Sequence, residues 1–251
     1  MKSFFACVCI ALCAMVTPAS AAPRTLTVVA DDWPPFSGHG LPDGGLSLDV
    51  IAQVLRRAGY QVETSVVPWA RIMDGARSGE FDIVGSLFKD PDIASYMTYG
   101  DPFYTTQVQL VQRMGGSHAF TTVEALRPYS IAVGDGFVYE DSFDRADYLD
   151  KVVVTTTLQA VQMVAFGRVD LTLDSVDVVR HAIETEAPDL ADAVEFAPGV
   201  LAEQGIHMAV RSDLDGSAEI VADFNAALAE MRADGTLAAL VDRHVPGKAG
   251  G

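Results

Sequence analysis

Short β-branched runs alternate with amphipathic helical segments along this chain, and this alternation limits the folds open to it. In the first cycle, Leu48, Ile51 and Leu55 recur at helical spacing between two strand-like runs. The strand-like runs of this cycle are TLTVVA at 25–30, QVETSVVP at 61–68 and FDIVGS at 81–86. Strands that alternate with helices form parallel sheets through right-handed crossovers, with helices on both faces. The pattern predicts an α/β fold.

A second cycle of the same kind begins near Arg127. Its strand-like runs are YSIAVGDG at 129–136, VVVTTT at 152–157 and VDLTLDS at 169–175. Two segments with extended patterns, at 105–113 and 205–211, lie on either side of this cycle. The chain is therefore expected to cross twice between two α/β units.

Two lobes joined by two crossing strands form a clamshell, with a ligand site in the cleft where the strands of both lobes end. Two helical segments separated by Gly235 follow the second crossing, and we expect them to return to the first lobe. Lobe 1 is then expected to comprise residues 24–107 and 204–247, and lobe 2 residues 112–196.

The first residues have the pattern of a secretory signal peptide. Lys2 precedes the apolar run FFACVCIALCAMV, and Ala-Ser-Ala at 19–21 fits the small-x-small cleavage pattern. We expect residues 1–21 to be removed on export to the periplasm; a membrane anchor is the alternative. All three cysteines lie in this segment, so the exported chain is expected to have no disulfide.

Acidic residues outnumber basic ones, 34 to 17, and the formal net charge is −17. A surface of this charge repels nucleic acid and anionic lipid, so neither is an expected partner. The five histidines are far apart and show no metal-ligand spacing. Asp31 and Asp32 are adjacent, and neighbouring side chains on a strand point apart, so this pair is not expected to share a proton. We expect no metal, no cofactor and no catalytic residue.

Six motifs, in this order, carry a resemblance to a known family. They are DDWPPF at 31–36, PWARIMDGARSGEFDIVGS at 68–86, GDPFY at 100–104, IAVGDG at 131–136, GRVDLTLD at 167–174 and NAALAEMRADGTLAALVDRHV at 225–245. Together they make the chain similar to periplasmic solute-binding proteins of the polar-amino-acid type, the receptor components of ABC importers. The resemblance implies a type II periplasmic-binding-protein clamshell, a small-molecule ligand and a membrane ABC permease as partner. We expect a monomer.

The resemblance also implies ligand-binding residues in lobe 1. Trp33 falls where the family places an aromatic platform, on a turn that Pro34 and Pro35 stiffen, and Phe36 follows it. Trp69 and Ser86 match positions that flank the ligand. Core packing is the alternative for the three aromatic side chains. Arg71 and Lys89 are candidate charges for the cleft, or else a surface salt bridge and a solvated lysine.

In lobe 2, the turn after IAVGDG carries Phe137, Val138 and Tyr139 where the family has small hydroxyl residues. Phe137 and Tyr139 are candidate ligand contacts, with packing inside the lobe as the alternative. The family's amine-binding aspartate falls at Ser175, one residue after Asp174. A one-residue slip reverses a side chain on a strand. Asp174 is therefore a candidate ammonium partner and Ser175 the alternative.

The arginine that holds the ligand α-carboxylate in the family falls at 93–94, which is Ile-Ala here, and no arginine occurs between Arg77 and Arg113. Either Lys89 or Arg71 replaces that charge, or the ligand has no α-carboxylate. The family favours a small polar, amino-acid-like solute. The missing arginine and the bulky lobe 2 turn favour a flatter or more apolar ligand, such as an aromatic compound or a small organic acid.

Three functions compete at this point. The first is a non-enzymatic receptor that delivers its solute to an ABC permease. The second is a sensory receptor of the same fold that signals to a membrane kinase or cyclase. The third is a periplasmic enzyme resembling cyclohexadienyl dehydratases, which requires a cleft acid of raised pKa such as Asp32 or Asp174. We favour the first.

Overall fold

Ten strands form one connected sheet in the computed structural model, which describes residues 24–247. Its strand order is β2-β1-β3-β10-β5-β8-β6-β7, with β4 paired to β10 and β9 paired to β5. The signal peptide expected at residues 1–21 lies outside the described residues. No helix within 24–247 combines the length and the apolar character needed to cross a bilayer.

The first part of the chain alternates strands and helices as predicted. Its elements are β1 Thr25–Ala30, α1 Leu46–Arg57, β2 Gln61–Val66, α2 Trp69–Ser78, β3 Ile83–Leu87, α3 Pro91–Ala94, β4 Met97–Tyr99 and β5 Tyr104–Arg113. Strand β1 pairs in parallel with both β2 and β3. Helix α2 ends where Gly79 adopts the left-handed conformation, φ 82°, which glycine takes at no steric cost.

The second part repeats the pattern. Its elements are β6 Ser130–Gly134, α4 Asp141–Asp144, β7 Asp150–Val154, α5 Thr157–Ala165, β8 Leu171–Ser175, α6 Val176–Glu186, β9 Val194–Phe196, β10 Ala202–Arg211, α7 Ser217–Ala233 and α8 Thr236–His244. Strand β6 pairs in parallel with β7 and β8. Single-turn 3-10 helices lie at Pro42–Gly44, Glu124–Leu126 and Pro188–Leu190.

The long strands β5 and β10 connect the two halves. They pair antiparallel with each other from Tyr104 opposite Ile206 to Val108 opposite Ala202. Beyond that stretch β10 pairs with β3, and β5 pairs with β8. Each strand therefore belongs to the sheet of one half at one end and to the other half at the other. The predicted type II clamshell with two crossing strands is confirmed.

Each half has apolar clusters on both faces of its sheet. In the first half, one cluster lies under α1, α7 and α8 and a second lies under α2. In the second half, one cluster lies around Tyr139 and Phe143 and another lies under α5 and α6. Helices α7 and α8, which follow the second crossing, pack on α1. The lobe boundaries at 24–107 with 204–247 and at 112–196 stay a prediction.

Candidate functional site

A cavity of about 530 Å³, counted out to its open mouth, lies between the two halves. It opens at the carboxyl ends of four strands. Asp31 follows β1, Leu87 ends β3, Gly136 follows β6 and Asp174 lies near the end of β8, and all four line the cavity. Parallel strands of an α/β fold place their ligand sites at this edge.

Trp33 serves both the cavity and the core. Its backbone N–H donates to the Ser37 carbonyl over 2.8 Å, and its own carbonyl accepts the Phe36 and Ser37 N–H groups, so the turn is closed by its own backbone. The indole lines the cavity and is 7% exposed. Its ring centroid lies 4.8 Å from Phe36 and 5.2 Å from Phe88. The two alternatives for Trp33, cleft and core, are thus combined in one side chain.

Aromatic side chains meet across the cleft. Trp69, the first residue of α2, lies over the turn after β6, where a Cβ on Gly136 would be 3.5 Å from the indole. Phe88 and Phe137 line the cavity, and each packs against apolar clusters of both halves. These contacts hold the two halves together around the cavity.

Asp174 is 3% exposed and lines the cavity. Its carboxylate accepts hydrogen bonds from Thr157 Oγ1 over 2.5 Å and from the Ser175 backbone N–H over 2.7 Å. Burial raises its pKa to about 6, although these bonds act in the opposite direction. The buried Trp33 indole N–H has no hydrogen-bond partner within the described residues. It faces the Asp174 carboxylate closely enough to lower that pKa, but outside hydrogen-bond geometry.

Asp31 is the second carboxylate of the cavity, and burial raises its pKa to about 6 as well. The nearby charges of Asp32 and Asp174 raise it further, while the Asp31 backbone N–H lowers it. Asp90 also lines the cavity, and its carboxylate caps α3 by accepting the Ile93 N–H over 2.9 Å. Within residues 24–247, no arginine, lysine or histidine lines the cavity, and neither Asp31 nor Asp174 is in an ion pair.

Ser86 and Tyr139 contribute hydroxyl groups. Ser86 has φ 56°, a left-handed conformation that is uncommon for a residue with a Cβ and is often found at functional sites. Its Oγ lies 2.9 Å from Ser37 Oγ. The Tyr139 hydroxyl accepts the Gly134 N–H over 2.7 Å. Burial raises the pKa of Tyr139 well above its ordinary value, so the phenol stays neutral.

Six of the ten candidate ligand contacts therefore line the cavity: Trp33, Trp69, Ser86, Phe137, Tyr139 and Asp174. Sequence reasoning missed Asp31, Phe88 and Asp90 as lining residues. The alternation of side chains along a strand signals that only one of Asp31 and Asp32 faces inward, but not which one. Asp32 is exposed.

The structure does not bring the other four candidates to the cavity. Phe36 is fully buried and packs between Trp33 and Tyr104. Ser175 is fully buried too, and its Oγ caps α6 by accepting the Asp177 N–H while bonding Thr106 over 2.7 Å. Both side chains make structural contacts inside the protein and do not reach the cavity.

The two candidate cations lie elsewhere. Arg71 is exposed and pairs with Glu80 over 2.6 Å, which is the surface salt bridge named as its alternative. Lys89 is exposed and does not line the cavity, as in the solvated lysine named as its alternative. Its charge adds to burial, the larger cause, in lowering the pKa of His207. Ile93, at the position where the resemblance implies an arginine, lines the cavity with an apolar side chain. The cavity therefore combines carboxylates with aromatic and aliphatic surface.

The Asp31 carboxylate should destabilise the unliganded protein at neutral pH. A carboxyl group whose pKa rises from 3.8 to about 6 on folding lowers stability progressively as pH increases through that interval. We expect Asp31→Asn to raise the free energy of unfolding at pH 8 by on the order of 1–3 kcal/mol, with no gain at pH 3. Urea titrations at the two pH values measure this. Asp32→Asn is the matched control, and a loss of stability in D31N at pH 8 would contradict the prediction.

Comparison with known proteins gives the family. The sequence model of the bacterial extracellular solute-binding proteins, family 3, matches residues 26–247. The L-cystine-binding protein TcyA of Bacillus subtilis is 24% identical over 196 residues, which are 77% of this chain and 69% of that protein. The L-cystine-binding protein TcyJ of Escherichia coli K12 is 23% identical over 216 residues, 84% of this chain and 78% of that protein.

Solved structures show the same fold. A histidine kinase sensor domain with similarity to periplasmic binding proteins has a TM-score of 0.76 at 22% identity, covering 89% of this chain and 96% of that one. An ancestral arginine-binding protein bound to arginine has a TM-score of 0.72 at 21% identity, covering 87% and 97%. With nearly all of the described residues matched by the family's sequence model, the chain belongs to family 3 of the bacterial extracellular solute-binding proteins.

Proposed function

We propose that this protein is the periplasmic solute receptor of an ABC importer and that it captures a small polar solute bearing an ammonium group between its two lobes. The observation that supports this most is the cavity itself, to which each half contributes aromatic side chains and a carboxylate with a raised pKa: Trp33 and Asp31 from the first half, Tyr139 and Asp174 from the second.

The charge of the cavity supports an ammonium group over an organic acid. A ligand carboxylate would enter beside Asp31 and Asp174 where no basic side chain of residues 24–247 lines the cavity, and like charges at close range repel. The curated relatives bind L-cystine, and solved proteins of this fold bind arginine. Both solutes carry ammonium groups, so the relatives agree with the charge of the cavity.

Delivery requires that the permease distinguish the loaded receptor from the empty one. A solute that contacts both halves favours the closed arrangement, with the bend taken up where β5 and β10 pass between them. We propose that the closed monomer docks on the permease. Export through cleavage of residues 1–21 belongs to the same proposal.

The tryptophans provide a direct test. The sequence contains two, Trp33 and Trp69, and both line the cavity. We expect a bound solute to change the intrinsic fluorescence and, in X-ray scattering, to reduce the radius of gyration. Calorimetry across amino acids, amines, organic acids and sugars would identify the solute class. If no compound changes fluorescence, scattering or heat, the receptor proposal is wrong. Trp69→Phe serves as control, because it should remove part of the fluorescence change while scattering still reports closure.

A dehydratase is the second candidate, because Asp174 is a cleft acid of raised pKa beside aromatic rings, as such an enzyme requires. Incubation with prephenate or arogenate and detection of an aromatic product tests it. Product formed by the wild type and not by Asp174→Asn would favour the enzyme over the receptor.

A further inference from the structure

We propose that the solute is an organic cation without a carboxylate group, held between Asp31 and Asp174 and enclosed by aromatic rings. This inference rests on the proposed function, since it specifies the ligand of the same cavity. It narrows the solute from ammonium-bearing compounds in general, which include amino acids, to amines and quaternary ammonium ions.

The first support is an uncompensated negative charge. Asp31, Asp90 and Asp174 line the cavity, and no basic side chain of residues 24–247 does. Within residues 24–247, the Asp31 carboxylate has no hydrogen-bond or ion-pair partner beyond its own backbone N–H, so it is available to a ligand. A cation placed between Asp31 and Asp174 relieves their mutual repulsion, whereas a zwitterion brings a further negative charge into the same space.

The second support is the way Asp174 is held. Thr157 Oγ1 and the Ser175 N–H donate to its two oxygens, and the otherwise unpartnered Trp33 indole N–H faces it. The two hydrogen bonds and the nearby indole N–H favour its ionised form, although burial acts in the opposite direction. A buried carboxylate kept in this form without a cation of its own is a fixed anionic contact for a positively charged ligand.

The third support is the aromatic surface. Trp33, Trp69, Phe88, Phe137 and Tyr139 line the cavity from several directions. The face of an aromatic ring attracts a cation, most strongly for tryptophan, and the attraction grows when water is excluded. Among the described residues the cavity has no comparable provision for an anion, because Arg71 is paired with Glu80, Lys89 does not line the cavity and Ile93 is apolar.

Pairs of compounds that differ only by carboxylates test the inference. We would compare agmatine with L-arginine and cystamine with L-cystine at pH 7.5, by calorimetry and tryptophan fluorescence. The expected result is that each decarboxylated compound binds at least tenfold more tightly than its amino acid. Choline and butylammonium form a separate arm: tighter choline binding identifies a quaternary ammonium site, and tighter butylammonium binding identifies a hydrogen-bonded primary ammonium. Either result supports a cation.

Variants assign the role of Asp31. Asp31→Asn should weaken binding of the best cation at least thirtyfold, and Asp32→Asn, which changes the exposed neighbour, should bind as the wild type does. If D31N bound the cation as tightly as the wild type, the role assigned to Asp31 would be overturned. Tighter binding of L-arginine or L-cystine than of its amine, or of a neutral or anionic solute, overturns the cation inference but leaves the receptor function standing. If no class of compound binds, both the cation inference and the receptor function are overturned.

Discussion

Replacing Trp33 with alanine should weaken solute binding at least a hundredfold and also lower the free energy of unfolding by about 3–5 kcal/mol. The indole lines the cavity, packs on Phe36 and Phe88, and faces Asp174 with its N–H. Its removal opens the cavity into the core, takes away one of the two tryptophan rings that line the cavity and removes an N–H that stabilises the Asp174 charge. Calorimetric titration and urea unfolding measure the two effects.

Two further variants separate binding from stability. Trp33→Phe keeps a ring in the cavity but deletes the N–H, so we expect intermediate loss of affinity and a smaller loss of stability. Phe36→Leu changes the ring beneath, which is fully buried and does not line the cavity, so we expect lower stability with affinity near that of the wild type. Wild-type affinity in Trp33→Ala would show that the solute binds elsewhere.

The elements of the fold could be predicted because their signals are local. The β-branched runs at 25–30 and 169–175 became β1 and β8, and the extended segments became β5 and β10. Some boundaries differ from the predicted ones by one or two residues, because the hydrogen-bond ladder rather than composition sets where a strand begins and ends. The run predicted at 81–86 became β3 at Ile83–Leu87. Lobe boundaries depend on motion between the halves, which leaves no signal in a local sequence pattern.

The site was harder to predict because it depends on side-chain direction. Trp33 and Trp69 carry strong signals, since each sits at a strand end beside proline. Arg71 lies two residues after Trp69, but a step of two along a helix changes face, and it points to Glu80 at the surface. On β8, Asp174 lines the cavity while Ser175 caps the next helix. Asp31 was missed because its partner across the cavity, Asp174, is distant in sequence.

The two carboxylates connect stability with function. Ionising a buried acid opposes folding, so Asp31 and Asp174 make the empty protein less stable above their pKa values than below them. A bound cation removes this penalty by supplying the missing charge. Stabilisation by the solute should therefore be larger at neutral pH than in acid, because a ligand stabilises the folded state by RT ln(1 + [L]/Kd), which increases as binding becomes tighter.

Affinity for agmatine should accordingly fall about 30- to 100-fold between pH 7.5 and pH 5. A carboxyl with a pKa of about 6 is roughly ten-elevenths protonated at pH 5, and at both carboxylates the proton competes with the cation. Affinity falls in acid because protonation neutralises the carboxylates that hold the ligand. The charges of Asp32 and Asp174 act on Asp31, and the neutral Tyr139 phenol lies near Asp174. Within residues 24–247, no basic side chain lines the cavity to oppose this titration. Calorimetry in a series of buffers from pH 5 to 7.5 measures the slope.

Asp31→Asn distinguishes this mechanism from general acid destabilisation. With one titrating carboxylate left, the loss of affinity over the same pH interval should shrink to about tenfold, although binding is weaker throughout. Asp32→Asn should keep the steeper wild-type dependence. Since agmatine keeps its positive charges across this range, the slope reports the protein alone, and an affinity independent of pH would mean that the Asp31 and Asp174 carboxylates do not hold the ligand.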